Sequence, residues 1–167
     1  MAQNYTSKAT SINSGRLPAV YGKAKLSAHS VLDYGCGKYT EHIRSALAGK
    51  QYLPYDPYNQ PDPVNNTSMF IVRCAMNTGI PVDVVCSNVL NVIDDDRTVQ
   101  KIAHHIEEIA TASGGTGYVT VYEGNRSGTG RQTGPDQYQR NEPLRNYLRY
   151  FRNATIRNGM IIVKGGA

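Results

Sequence analysis

Apolar residues fall along this chain in short runs, separated by stretches with helical spacing. Ser30 to Tyr34, Gln51 to Tyr55, Ser68 to Arg73, Val82 to Ser87 and Thr116 to Tyr122 are each a few residues long and read as buried strands. Thr40 to Ala48 and Asp94 to Thr111 read as helices, the second with Val99, Ile102, Ala103, Ile106 and Ile109 on one face. Thr40 and the Asp94-Asp95-Asp96 run are placed to cap them, and Gly49 to stop the first. Pro57 to Asn66 holds three prolines and reads as a loop over the sheet edge. Leu144, Tyr147, Leu148 and Phe151 predict a helix over Glu142 to Arg152. Asn158-Gly159, between Ala154–Ile156 and Met160–Val163, is a hairpin signal. Strands alternating with helices predict an α/β protein with a mostly parallel, doubly wound sheet, seven strands in all counting the terminal antiparallel hairpin. A polar arm and a short helix, Pro18 to Ala28, make up residues 1–29, and a single domain fills 30–167.

In such a sheet ligands bind beyond the strand carboxyl ends. There the first run delivers Asp33-Tyr34-Gly35-Cys36-Gly37, an acid followed by a Gly-x-Gly turn, and the second delivers Tyr55-Asp56-Pro57-Tyr58. Glycines let the backbone approach a ligand closely. A carboxylate at the end of the second strand can accept hydrogen bonds from both hydroxyls of a ribose. Asp56 has a plainer alternative role, capping the loop that begins at Pro57.

Charge and composition narrow the partners only modestly. The formal charge of +5 and a pI near 9.1 favour anionic partners, nucleic acid among them. Trp is absent, Phe occurs twice and Tyr twelve times, so most aromatic surface carries a hydroxyl, suited to polar ligands or interfaces. Cys36, Cys74 and Cys86 lack metal-ligand spacing and read as packed, reduced thiols of a cytoplasmic chain. His29, His42, His104 and His105 form no spaced set with carboxylates, so no metal is expected; His104 and His105, beside Glu107 and Glu108, read as a solvated face. No apolar leader or membrane-length run is apparent, and nothing fixes an oligomeric state.

These residues resemble the class I S-adenosylmethionine-dependent methyltransferases. Asp33-Tyr34-Gly35-Cys36-Gly37 is similar to their first motif, Asp56 to their second-strand acid, and Val82 to Ile93 to their fourth-strand motif. More narrowly, the Leu-Asp-Tyr-Gly-Cys-Gly start, the Asp-Pro-Tyr turn and Val89-Leu90-Asn91-Val92-Ile93 look like small phage and bacterial methyltransferases associated with DNA-phosphorothioation genes. The likeness covers about Val31 to Ala112. It implies a single-domain Rossmann-like methyltransferase fold with a mostly parallel seven-stranded sheet and a C-terminal antiparallel hairpin, and S-adenosyl-L-methionine as cofactor. A dinucleotide fingerprint would need a third glycine, and that position is Thr40.

By the same resemblance, Asp33 positions the amino-acid end of the cofactor, Gly35, Cys36 and Gly37 line it, Asp56 holds the ribose, and Tyr55 and Pro57 border the adenosine. Met76, following the third strand, would pack on the adenine or simply in the core. Ser87 and Asn88 end the fourth strand beside the transferable methyl and are the candidate catalytic positions; Asn91 would cap the next helix. Glu123, Arg126, Arg131, Tyr138 and Arg140 occupy the usual place for substrate contacts, a segment that equally reads as a solvated loop.

The tetrad of amino-methylating DNA enzymes is missing, because Ser87-Asn88-Val89-Leu90 has neither prolines nor an aromatic. No cysteine follows a proline, as cytosine-C5 chemistry would need. The acceptor is therefore open among nucleic acid, a small molecule and a protein. A non-catalytic cofactor sensor or regulatory subunit, and a nucleic-acid-binding protein on the same scaffold, are the competing readings.

Overall fold

Residues 16–165 are described by the computed structural model; the arm before Arg16 lies outside them. Helix α1 spans Ala19–Lys23, shorter than expected. Strand β1 (Ser30–Tyr34) is buried along its whole length, as befits a central strand covered on both faces. Helix α2 (Glu41–Ala46) follows, with no side-chain cap from Thr40, and the chain turns at left-handed Gly49 into β2 (Gln51–Tyr55).

The main correction to the sequence reading comes next. Asp62–Thr78 forms α3, a helix of 17 residues, where a loop and a third strand over Ser68 to Arg73 were expected. Pro61 and Pro63 start this helix rather than forbid it, since the first turn has no intrahelical use for their missing N–H groups. Its buried residues, Asn65, Ser68, Val72 and Ala75, recur every three or four positions, a helical stripe that the apolar Ile71-Val72 pair obscured.

β3 (Val82–Ser87) leads through a 3₁₀ turn (Leu90–Val92) to α4 (Asp96–Ser113), which Asp95 caps by accepting from Thr98 N at 2.9 Å. Asn91 therefore does not cap that helix. β4 (Thr116–Thr120) follows, then a small hairpin of β5 (Arg131–Gly134) and β6 (Gln137–Gln139) within a segment read as irregular. A 3₁₀ helix at Leu144–Tyr150 replaces the expected α-helix, and β7 (Thr155–Arg157) turns through left-handed Asn158 and Gly159 into β8 (Met160–Lys164).

The main sheet has six strands in the order β2-β1-β3-β4-β8-β7. The pairs β1 with β2, β1 with β3 and β3 with β4 are parallel, while β8 runs antiparallel to both β4 and β7. The expected seventh strand is the one replaced by α3. Alternate residues of the strands feed two cores. Leu32, Leu53, Val84, Cys86 and Ile161 pack with Val72 of α3 and Ile106 of α4, whereas Val31, Tyr52 and Val85 pack with Val20 of α1 and Ile43 of α2. Because the chain leaves β1 in one direction and returns across it to β3, the strand ends diverge there and leave a crevice between them.

Candidate functional site

A cavity of about 890 Å³ fills that crevice. Asp33, Gly35, Cys36, Gly37, Tyr55, Asp56, Pro57, Ser87 and Asn88, all expected at a ligand from the sequence, line it together. Met76 does not: it sits on α3 and packs against the larger core. The wall also includes Tyr34, Lys38, His42, Asn91, Tyr122 and Gln139, none of them expected at the ligand, and Arg16 at the start of the described chain.

The glycine turn is held by the end of β2. Gly35 N and Cys36 N both donate to Tyr55 O (2.7 and 3.2 Å), and Gly37 N donates to Asp56 Oδ2 (2.9 Å). Gly35 is left-handed, and a Cβ there would run into the Val89 side chain; Gly37, also left-handed, opens onto free space. One glycine is demanded by packing from below, the other by the turn itself.

Asp56 carries more than one task. Besides Gly37 N, its carboxylate accepts Tyr58 N (2.9 Å), Asn59 N (3.0 Å) and Asn59 Nδ2 (3.1 Å). Its backbone is clamped by Asn65 of α3, which accepts Asp56 N at 2.9 Å and donates to Asp56 O at 3.0 Å. A carboxylate offers about four acceptor sites, and these four bonds use them. In this geometry Asp56 caps its loop and locks the turn, which is the plainer of its two sequence roles.

Asp33 is the other buried acid. Tyr52 OH donates to its Oδ2 at 2.7 Å. Burial nevertheless pushes its carboxyl up to about 6, against the pull of the tyrosine bond. Burial likewise pushes the half-buried Cys36 thiol up, which disfavours its thiolate. Cys74, in contrast, is exposed on α3 rather than packed at a strand end. His105 is not on a solvated face either: its Nδ1 lies 3.0 Å from Tyr34 OH, edge-on to that ring.

The segment after β4 divides sharply. Glu123 pairs with Arg126 and accepts Leu144 N at 2.6 Å, so both residues hold the next turn in place. Arg140 is buried: its guanidinium donates to Ile93 O, to Asp96 Oδ1 (2.7 Å) and to Tyr150 OH (3.0 Å). Those three residues are structural in this geometry. Arg131 and Tyr138 instead line a second cavity of about 420 Å³ beneath the β5–β6 hairpin, next to the first. Ser87 Oγ accepts from Thr120 Oγ1 at 3.2 Å, and Asn88 adopts a left-handed backbone (φ 57°) at the cavity wall.

No helix among the described residues is long and apolar enough to cross a membrane, and no group of three or more His, Cys, Asp or Glu among them could hold a metal ion. No protein-family model, curated protein or solved structure matches the chain.

The donor set of the large cavity is selective. The amides of Gly35, Cys36 and Gly37 are all consumed inside the protein, so these three are not free to bind a ligand. What the turn has beside it is a buried carboxyl that gains from a nearby positive charge. Lys38 and Arg16 line the same cavity, so its wall carries both signs of charge.

Proposed function

We propose that the chain is an S-adenosylmethionine-dependent methyltransferase of Rossmann-like build, acting on a nucleic-acid or small-molecule acceptor. The observation that carries this reading is the glycine turn whose amides are all engaged while Asp33 lies buried beneath it. A sulfonium amino acid joined to a nucleoside brings the positive charge that such a buried carboxyl favours. The cavity's volume lies within the range of about 300–1,000 Å³ found for small-ligand sites.

Bound there, the cofactor supplies an already activated methyl group. The protein's work is to orient it and exclude water. Asp33 would face the ammonium end, its ionised carboxylate balancing that charge. Gly37 leaves room for the ligand, and Tyr55 and Pro57 border its nucleoside. Asp56 contributes by holding the turn, its carboxylate being already committed. Ser87 and Asn88 stand at the end of β3 beside the reacting centre and position the acceptor.

The test is transfer of isotopically labelled methyl from S-adenosylmethionine into separately counted DNA, RNA, protein and small-molecule fractions, with Asp33→Ala as control. Label in one fraction, lost in the control, is expected. Calorimetric binding of S-adenosylhomocysteine without label in any fraction would mark a non-catalytic sensor or regulatory subunit instead, and no binding at all would overturn the reading.

A further inference from the structure

Asn91 is buried on the wall of the large cavity, and its Oδ1 has no hydrogen-bond partner among the described residues. The amide's orientation is not free. Gln139 Nε2 donates to Tyr122 O at 2.8 Å, which leaves Gln139 Oε1 to accept from Asn91 Nδ2 at 3.1 Å. Arg140 N donates to Asn91 O at 2.9 Å and pins the backbone as well. The side chain is thus locked with an unpaired oxygen. A buried acceptor left unpaired costs about 1–3 kcal/mol, which a ligand N–H would recover.

Val92, Tyr122 and Gln139 are common to the walls of the large cavity and of the one beneath the β5–β6 hairpin. That hairpin is a built structure. A Cβ on Gly130 would collide with the Tyr138 hydroxyl, and one on Gly124 with the Asn141 side chain. Asn141, left-handed at φ 55°, donates from Nδ2 to Thr129 O (3.0 Å) and accepts Gly128 N on its carbonyl (2.9 Å). Strained backbone held this firmly is concentrated at ligand clamps.

We infer that the junction of these cavities seats a second ligand: a planar, uncharged aminated heterocycle whose N–H donates to Asn91 Oδ1, beneath the hairpin. Three features select this class. The unpaired atom is an acceptor, so the ligand brings a donor. Among the described residues no carboxylate lines the smaller cavity, while Arg131 does, so an ammonium group meets no counter-charge there. Tyr122 and Tyr138 line the smaller cavity, and aromatic side chains there favour a flat group. Taking this ligand as the methyl acceptor rests on the function proposed above; its binding does not.

The full chain, labelled with ¹⁵N, is titrated with adenosine and cytidine, and with the matching purine and pyrimidine ribosides that lack the exocyclic amine. Nicotinamide serves as a carboxamide probe. The side-chain amide resonance of Asn91 should shift saturably with an amine-bearing probe, with binding about ten-fold weaker once the amine is removed. Asn91→Leu should abolish that preference, and Gln139→Leu, which releases the amide to rotate, should narrow it. Equal affinity with and without the amine, preference for nicotinamide, or no shift at Asn91 at millimolar probe would overturn the inference. S-adenosylhomocysteine is titrated in parallel. Its binding alongside silent amine probes sinks only this inference, while the converse sinks only the cofactor reading.

Discussion

The two rims of the large cavity are built by different means. The glycine-turn rim is closed by bonds between neighbouring strand ends, Gly35 N and Cys36 N to Tyr55 O and Gly37 N to the Asp56 carboxylate. The hairpin rim is held by side chains reaching across the fold: Arg140 to Asp96 and Ile93, Gln139 to Asn91 and Tyr122, Glu123 to Leu144. The first is a rigid floor set by strand register. The second depends on a few buried polar contacts and is the easier of the two to loosen selectively.

The sharpest way to break the comparison is at the floor. Gly35→Ala drives a methyl into Val89 and places a side chain on a left-handed residue. The expected loss is about 3–4 kcal/mol, overpacking and backbone strain together, measured by urea unfolding. Adding Val89→Ala should return part of it, a coupling that a double-mutant cycle isolates. Additive losses would show that the collision is not what demands glycine here.

Arg140→Met tests the other rim. It leaves buried Glu142 without one of its partners and removes the bond to Ile93, for a loss of about 2–3 kcal/mol. Hydrogen exchange should accelerate at Gln137 to Asn141 while the amides of Gly35 to Gly37 keep their protection. Uniform acceleration in both places would mean that the rims unfold as one unit.

Most of the floor was legible from sequence and most of the hairpin rim was not, for a physical reason. Asp33, the glycine turn and Asp56 act through contacts set by strand ends that lie side by side, so a local pattern carries them. Arg140 looked like a substrate contact because an arginine in a polar segment gives no sign of a partner such as Asp96, 44 residues away. Asn91 looked like a cap because its partner Gln139 lies 48 residues on. The lost strand is a separate case. Ile71-Val72 suggested β structure, and only the three- and four-residue spacing of Asn65, Ser68, Val72 and Ala75 could have revealed a helix entered through Pro61 and Pro63.

Asp33 gives the floor a pH signature opposite in sign to that of the hairpin rim, where hydrogen bonds from Tyr150 to Asp96 and from Leu144 N to Glu123 hold those carboxyls below the ordinary range. The Asp33 carboxyl titrates in the folded chain near 6, above the ordinary 3.8. The stability it confers is therefore complete below the ordinary value and lost as pH rises through about 6, because the unfolded chain ionises it more readily. Asp33→Asn removes this dependence. The variant should be about 3 kcal/mol more stable than wild type at neutral pH, with the gap closing in mild acid. Acid unfolding of the two proteins side by side checks it, and a constant gap across that range would contradict it. Cofactor affinity should move the opposite way in wild type, rising with pH through about 6, since a cationic ligand requires the ionised acid.

Asp56 separates a turn-holding acid from a ribose-binding one. Its four acceptor sites are filled by Gly37, Tyr58 and Asn59, so Asp56→Asn should act through the turn. Affinity for S-adenosylhomocysteine should fall about ten-fold, or about 1.4 kcal/mol, and the Gly37 amide should exchange faster. The 2′-deoxy analogue of that ligand decides the mechanism. If the carboxylate holds only the turn, Asp56→Asn weakens both ligands by the same factor, because the missing hydroxyl never touched it. If the variant weakens the parent ligand but spares the deoxy analogue, the carboxylate exchanges a bond to Asn59 for one to the ribose when ligand enters. The floor would then be less rigid than its bonding implies, and the contrast between the two rims would narrow to one of degree.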